Sequence, residues 1–94
     1  MKKITKDNQE EVLNQPKAVL KASATWCGPC VSYSKIIAGL KEDLPFYEFD
    51  VDDEPELAAK FRIMGIPCTI VLENGVETQR LVGVQTKTTV EGLF

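Results

Sequence analysis

Ala18-Val19-Leu20-Lys21-Ala22-Ser23-Ala24-Thr25-Trp26-Cys27-Gly28-Pro29-Cys30 passes from a short apolar run to two cysteines separated by two residues. The run Ala18–Ala22 is apolar except for Lys21 and reads as a central strand. Beyond the cysteines, apolar residues recur at Cys30, Tyr33, Ile36, Ile37, Leu40 and Leu44. Those spacings of three and four predict a helix, and Pro29 suits its first turn because a missing N–H costs nothing there. A strand that turns directly into a helix therefore carries both thiols at the junction.

The flanking sequence extends the pattern. Ile4, between Lys3 and Thr5, predicts a short edge strand, and Asp7 or Asn8 can cap a first helix that runs to about Asn14 and ends before Pro16. Phe46-Tyr47-Glu48-Phe49-Asp50-Val51 has the aromatic and β-branched content of a strand. Asp52 or Asp53 can cap a helix with Pro55 near its first position, carrying Leu57, Ala58 and Phe61 inward until Gly65. Thr69–Leu72 and Thr78–Val82 flank Glu73-Asn74-Gly75 and predict a hairpin. A last helix can begin near Thr86 or Thr88, where Thr88 and Glu91 fit a capping box. The order β-α-β-α-β-α-β-β-α predicts parallel early strands and an antiparallel closing edge. No repeat, low-complexity segment or linker divides the chain, so a single domain over residues 1–94 is expected.

Composition narrows the function. Of the 94 residues, 44% are hydrophobic and 27% charged, and 11 Lys plus Arg against 14 Asp plus Glu leave a net charge of −3. That balance argues against nucleic acid or an anionic membrane as the main partner. No apolar run is long enough to span a bilayer, and the basic start at Met1-Lys2-Lys3 leads into acidic residues rather than into the apolar core of a secretion signal. A cytoplasmic location is expected. With no histidine in the chain, imidazole bases and His-ligated metals are excluded.

Three cysteines, Cys27, Cys30 and Cys68, are too few and odd in number for a secreted disulfide scaffold. A structural zinc site wants four ligands, and only Cys68 remains to join the pair, so no metal is expected. Redox exchange explains the pair better. Cys27 falls just ahead of a helix, where free N–H groups and the helix dipole favour a thiolate. Cys30 lies one turn in, on the apolar side. Gly28 allows a tight approach and Pro29 starts the helix.

Trp26-Cys27-Gly28-Pro29-Cys30 resembles the active-site motif of the thioredoxin family. Gly65-Ile66-Pro67 resembles the segment carrying that family's cis-proline, Glu73-Asn74-Gly75 its final hairpin turn and Val82-Gly83 its glycine beside the active site. The resemblance in element order covers about residues 2–94. It implies an α/β thioredoxin fold, a central mixed sheet with helices on both faces. It also implies protein-disulfide reduction in which Cys27 attacks and Cys30 resolves, through a redox-active Cys27–Cys30 disulfide and without a bound cofactor. Trp26, Ile66, Pro67 and Gly83 would outline a shallow groove for the substrate's extended backbone. The implied partners are disulfide-containing proteins and a flavin-dependent thioredoxin reductase drawing on NADPH, with the protein a monomer.

The chain also departs from the family. Lys21 falls where a buried Asp usually lies beneath the dithiol, Ser23 where a Trp is frequent, and Glu48 at a position usually held by Lys. The customary pair is thus exchanged in sign, and a Lys21–Glu48 pair is expected rather than two solvent-facing side chains. Cys68 stands where Thr is common, and is expected to serve as a small hydrophobe in its strand rather than as a further reactive thiol. The acidic residues from Glu48 to Glu56 lack the spacing of a calcium loop and suit a solvated strand–helix junction. Two alternatives compete with disulfide reduction by a thioredoxin. One is glutaredoxin-like use of glutathione, against which the Gly-Pro dipeptide counts. The other is a binding subunit that uses the groove without turnover.

Overall fold

A computed structural model describes residues 1–94. The chain runs β1 (Lys2–Lys3), α1 (Gln9–Leu13), β2 (Lys17–Ser23), α2 (Gly28–Ile37), β3 (Phe46–Asp50), α3 (Pro55–Lys60), β4 (Cys68–Glu73), β5 (Val76–Val82) and α4 (Lys87–Glu91). The strands form one mixed sheet in the order β1-β3-β2-β4-β5. β1 and β2 both pair with β3 in parallel, whereas β4 runs antiparallel to β2 and β5 to β4. The helical crossovers permit the parallel pairs, and the two-residue turn at Asn74-Gly75 closes the antiparallel edge. Both turn residues have positive φ (52° and 79°), the requirement of a hairpin turn whose twist matches its strands.

Side chains alternate across the sheet with period two, and that alternation builds two cores. Ala18, Leu20 and Ala22 of β2, Tyr47 and Phe49 of β3, and Cys68, Ile70 and Leu72 of β4 pack with Val12 of α1 and Leu57 of α3. Val19, Phe46 and Val71 point the other way and pack with Tyr33 and Ile37 of α2 and Val90 of α4. Lys21 shares the parity of Val19. Its register partners are Glu48 on β3 and Thr69 on β4, so these three polar residues form a row across the sheet beneath α2.

Several boundaries differ from the sequence-based expectation. α2 ends at Ile37, although the apolar spacing continues to Leu44; Leu40 and Leu44 pack on the same core from the following turn. Asn8 is the N-cap of α1, one of the two residues expected there, although its Oδ1 accepts the Thr5 N–H rather than a helix N–H. Neither Asp52 nor Asp53 caps α3, whose N-cap is Glu54. α4 is capped by Thr86, whose Oγ1 accepts the Thr89 N–H at 3.1 Å, and not by Thr88. No helix is long and apolar enough to cross a membrane.

Candidate active site

β2 ends at Ser23, and four residues later Cys27 becomes the N-cap of α2 in extended conformation. Its Sγ accepts the Cys30 N–H at 3.2 Å, and its carbonyl accepts the Val31 N–H at 3.1 Å. A sulfur in this position takes up one of the donors that a helix start leaves unpaired and lies at the positive end of the helix dipole. Both effects favour a thiolate on Cys27 when the pair is reduced. Pro29 occupies the first turn, as expected. Cys27 and Cys30 are joined by a disulfide with their Cα atoms 5.2 Å apart. Both are buried, Cys30 the more deeply at 2% exposed against 6%, among Ala24, Val51 and Ile66.

Of the residues expected to outline a groove, Trp26, Ile66 and Gly83 reach the surface, whereas the Pro67 side chain is fully buried. Trp26 is 69% exposed. The Ile66–Pro67 peptide bond is cis. Ile66 lies against the cysteines, and neither its N–H nor its carbonyl is engaged by another backbone group. Gly83, at φ 95°, donates its N–H to the Pro67 carbonyl at 2.8 Å and ties the end of β5 to the proline segment. Side chains rarely adopt that φ, which explains the glycine.

Four contributors were not read from the sequence. Asp52 Oδ2 accepts the Trp26 Nε1–H at 2.7 Å and holds the indole in place. Asp50 accepts the N–H groups of Thr25 at 3.1 Å and Asp52 at 2.7 Å, fastening the loop that follows β3 to the approach of Trp26. These two carboxylates were expected to do no more than face solvent or start a helix. Arg80 on β5 donates to the carbonyls of Phe61 and Arg62 and pairs with Glu77, so it secures the C-terminal end of α3 and the approach to Ile66. Ser34 is the fourth: its Oγ donates to the Cys30 carbonyl at 3.0 Å and accepts a hydrogen bond from Lys21 Nζ.

Lys21 is the one charged side chain fully buried in the fold. Its Nζ lies 3.7 Å from Glu48 Oε2, so the expected pair forms. Nζ also sits 5.7 Å from the centre of the Tyr33 ring, a cation–π distance. Burial pulls the Lys21 ammonium below its ordinary range, and the Glu48 carboxylate partly offsets this. Tyr33 bonds Thr69 at 2.7 Å, while burial holds its phenol above the usual range.

Cys68 remains a free thiol, 1% exposed. Strand parity turns it to the α1–α3 face, away from α2 and the dithiol. Burial raises its pKa, Arg80 acts in the opposite sense and Glu77 in the same sense as burial. It behaves as the small hydrophobe that was expected. No group of three or more His, Cys, Asp or Glu is arranged to hold a metal ion.

Two thiols within ring-closing distance can do what a lone thiol cannot: accept or release two electrons by exchange with another disulfide through a mixed intermediate. That chemistry, on this fold, makes the protein a thiol–disulfide oxidoreductase. The thioredoxin family model matches residues 1–93. The thioredoxin of Staphylococcus haemolyticus is 35% identical over 89 residues, covering 90% of this chain and 86% of the relative. The thioredoxin of Mycoplasma genitalium is 37% identical over 89 residues, covering 90% and 87%. Among solved structures, the thioredoxin of Fasciola hepatica superposes with a TM-score of 0.85 at 27% identity, covering 99% of this chain and 96% of that one. The chain belongs to the thioredoxin family, and within it is a protein-disulfide reductase. The glutaredoxin-like and binding-subunit alternatives are not favoured.

Proposed function

We propose that Cys27 is the attacking thiol and Cys30 the resolving one, acting on disulfides in extended segments of other proteins. The observation that carries this reading is the position of Cys27 Sγ, which accepts an N–H at the start of α2 while Cys30 lies a turn further in and more deeply buried. The Cys27 thiolate attacks one sulfur of the substrate disulfide. A mixed disulfide forms, and the first substrate thiolate departs with the bonding electron pair. Cys30 then loses its proton and attacks Cys27 Sγ; the internal disulfide forms and the second substrate thiolate leaves. Two electrons have moved from the protein dithiol to the substrate.

The exposed Trp26 indole and the free main-chain groups of Ile66, beside Pro67 and Gly83, suit an extended peptide that adds backbone hydrogen bonds along the groove. No bound cofactor enters the cycle; the Cys27–Cys30 pair is itself the redox group. The oxidised form is returned to the dithiol by a flavin-dependent thioredoxin reductase drawing on NADPH, in the cytoplasm, with the protein acting as a monomer.

A trapping experiment tests the roles. Cys30→Ser is expected to accumulate a mixed disulfide with a protein substrate through Cys27, and Cys27→Ser to trap nothing. Trapping by Cys27→Ser alone would reverse the assignment. The donor is tested by following reduction of the oxidised protein with thioredoxin reductase and NADPH, against glutathione. Faster reduction by glutathione would remove the reductase from the scheme.

A further inference from the structure

Burying a lysine costs free energy that a hydrophobic side chain would not, and a buried pair is weak evidence for stability. The surroundings of Lys21 suggest what the cost serves. Its ammonium donates to Ser34 Oγ at 2.5 Å, and Ser34 Oγ donates to the Cys30 carbonyl at 3.0 Å. The two legs place Nζ no more than 5.5 Å from the backbone of Cys30. The two sulfurs are bonded in this oxidised form, so the field reaches both, but only Cys27 Sγ takes up a helix N–H, that of Cys30. Cys30, Ser34 and Glu48 also line one open groove of about 510 Å³, which gives the inner sulfur's side of the helix a route to solvent.

We propose that Ser34 is a positioning residue for the resolving half-reaction: it fastens the buried Lys21 ammonium beneath the first turns of α2, so that the cation's field falls on Cys30 and favours its thiolate. The inference rests on Cys30 being the resolving thiol. At the mixed-disulfide stage the Cys30 proton passes to solvent in the groove, the thiolate attacks Cys27 Sγ, and the substrate sulfur leaves with the electron pair. Lys21 lowers the cost of the first of these events, and Glu48 tempers it as the carboxylate in ion-pair range of Nζ. Tyr33 and Cys68 are held above their ordinary ranges by burial and are neutral at pH 7. Asp50, Asp53, Glu54 and Lys3 line the same groove and are the same in every variant.

The reduced protein is mixed in a stopped-flow instrument with one equivalent of dithiobis(nitrobenzoate). The first thionitrobenzoate released reports attack by Cys27 and the second reports resolution by Cys30. Raising the Cys30 pKa by one unit cuts its thiolate tenfold at pH 7. A Brønsted coefficient of about 0.4–0.5 returns part of this as nucleophilicity, leaving a net slowing of about three- to fourfold. Lys21→Met and Ser34→Ala are expected to slow the second phase by about that factor and move its pH midpoint upward by about one unit. The first phase is expected to change less than the second, because the Cys27 thiolate is held chiefly by the Cys30 N–H and the start of α2; far-UV circular dichroism is the control for intact folding. Ser34→Thr, which keeps the hydroxyl, restores the wild-type profile, and Glu48→Gln moves the midpoint downward. Ser34 as a residue is exposed although its hydroxyl reaches Lys21, so its alanine variant leaves no cavity in the apolar cores. A second phase with unchanged rate and midpoint in either Lys21→Met or Ser34→Ala overturns the proposal. A wild-type protein that gives the first release and never the second overturns instead the resolving role of Cys30 on which it rests.

Discussion

Replacing Lys21 by methionine should leave the protein about as stable as before, whereas removing its partner's charge should not. The 3.7 Å separation of Nζ and Glu48 Oε2 is worth about 4 kcal/mol at an effective dielectric of about 20. Against it stands the cost of taking the ammonium out of water, several kcal/mol even after relaxation. The pair's net worth therefore lies near zero. Methionine has an unbranched chain that can follow the lysine stem beside Tyr33 and Thr69, and Glu48, at 31% exposed, keeps its access to water. Lys21→Met is expected to change the unfolding free energy by less than about 1 kcal/mol, or to raise it by up to about 2. Glu48→Gln leaves the ammonium buried against Ser34 with its counter-charge gone, and is expected to cost about 2–3 kcal/mol. That lies below the range for a fully buried pair because Glu48 is partly hydrated. Urea unfolding of the oxidised proteins, compared at equal slope, measures both. With a slope of about 1 kcal/mol per molar, Glu48→Gln should lower the midpoint by about 2–3 M, and Lys21→Met should leave it within about 1 M of the parent or above it. If Lys21→Met costs more than Glu48→Gln, the pair is a net source of stability and burial of the ammonium is not what limits it.

Three further outcomes are expected. In the reduced protein at neutral pH, iodoacetamide should modify Cys27 first, since its sulfur sits at the helix start and Cys30 is the deeper of the two; peptide mapping that finds Cys30 modified first would reverse the roles. Oxidation should leave Cys68 a thiol, because it faces the opposite side of the sheet from α2, and a Cys27–Cys68 linkage in the digest would contradict that geometry. Stability should fall on the alkaline side: the buried Cys68 thiol has its pKa raised above the ordinary 9.0, so between that value and the folded one the unfolded chain has given up a proton that the folded chain still holds. Its contribution is fully present below pH 9 and is lost as pH rises through the folded pKa. Cys68→Val should flatten that limb in urea midpoints taken from pH 8 to 11, and an equally steep fall in the variant would assign the loss to other groups, Tyr33 first among them.

Local chemistry carried most of the fold into the sequence. The order of elements followed from Pro29 and Pro55 at helix starts, from β-branched and aromatic strands, and from Asn74-Gly75, whose positive φ values only a few residues adopt cheaply. The Trp26–Cys30 motif was legible for the same reason: a cysteine at a helix start has its reactivity set by the adjacent backbone. Apolar periodicity proved a record of burial and not of backbone conformation, so Leu40 and Leu44 extended the apparent α2 while in fact packing from beyond its end. Capping was ambiguous wherever more than one oxygen was available, as at Thr86 and Thr88, because the choice depends on where the entering chain already lies. Asp50 and Asp52 could not be assigned, since their partners Thr25 and Trp26 are distant in sequence and meet them only when β2 and β3 pair. Ser34 was invisible for a related reason. A serine in mid-helix usually faces water, and its bond to Lys21 exists only because strand parity sends that one lysine toward α2. The dithiol's place at a helix start and the order of elements were thus legible from features close in sequence, whereas the charge beneath Cys30 was decided by the stacking of a helix on a sheet.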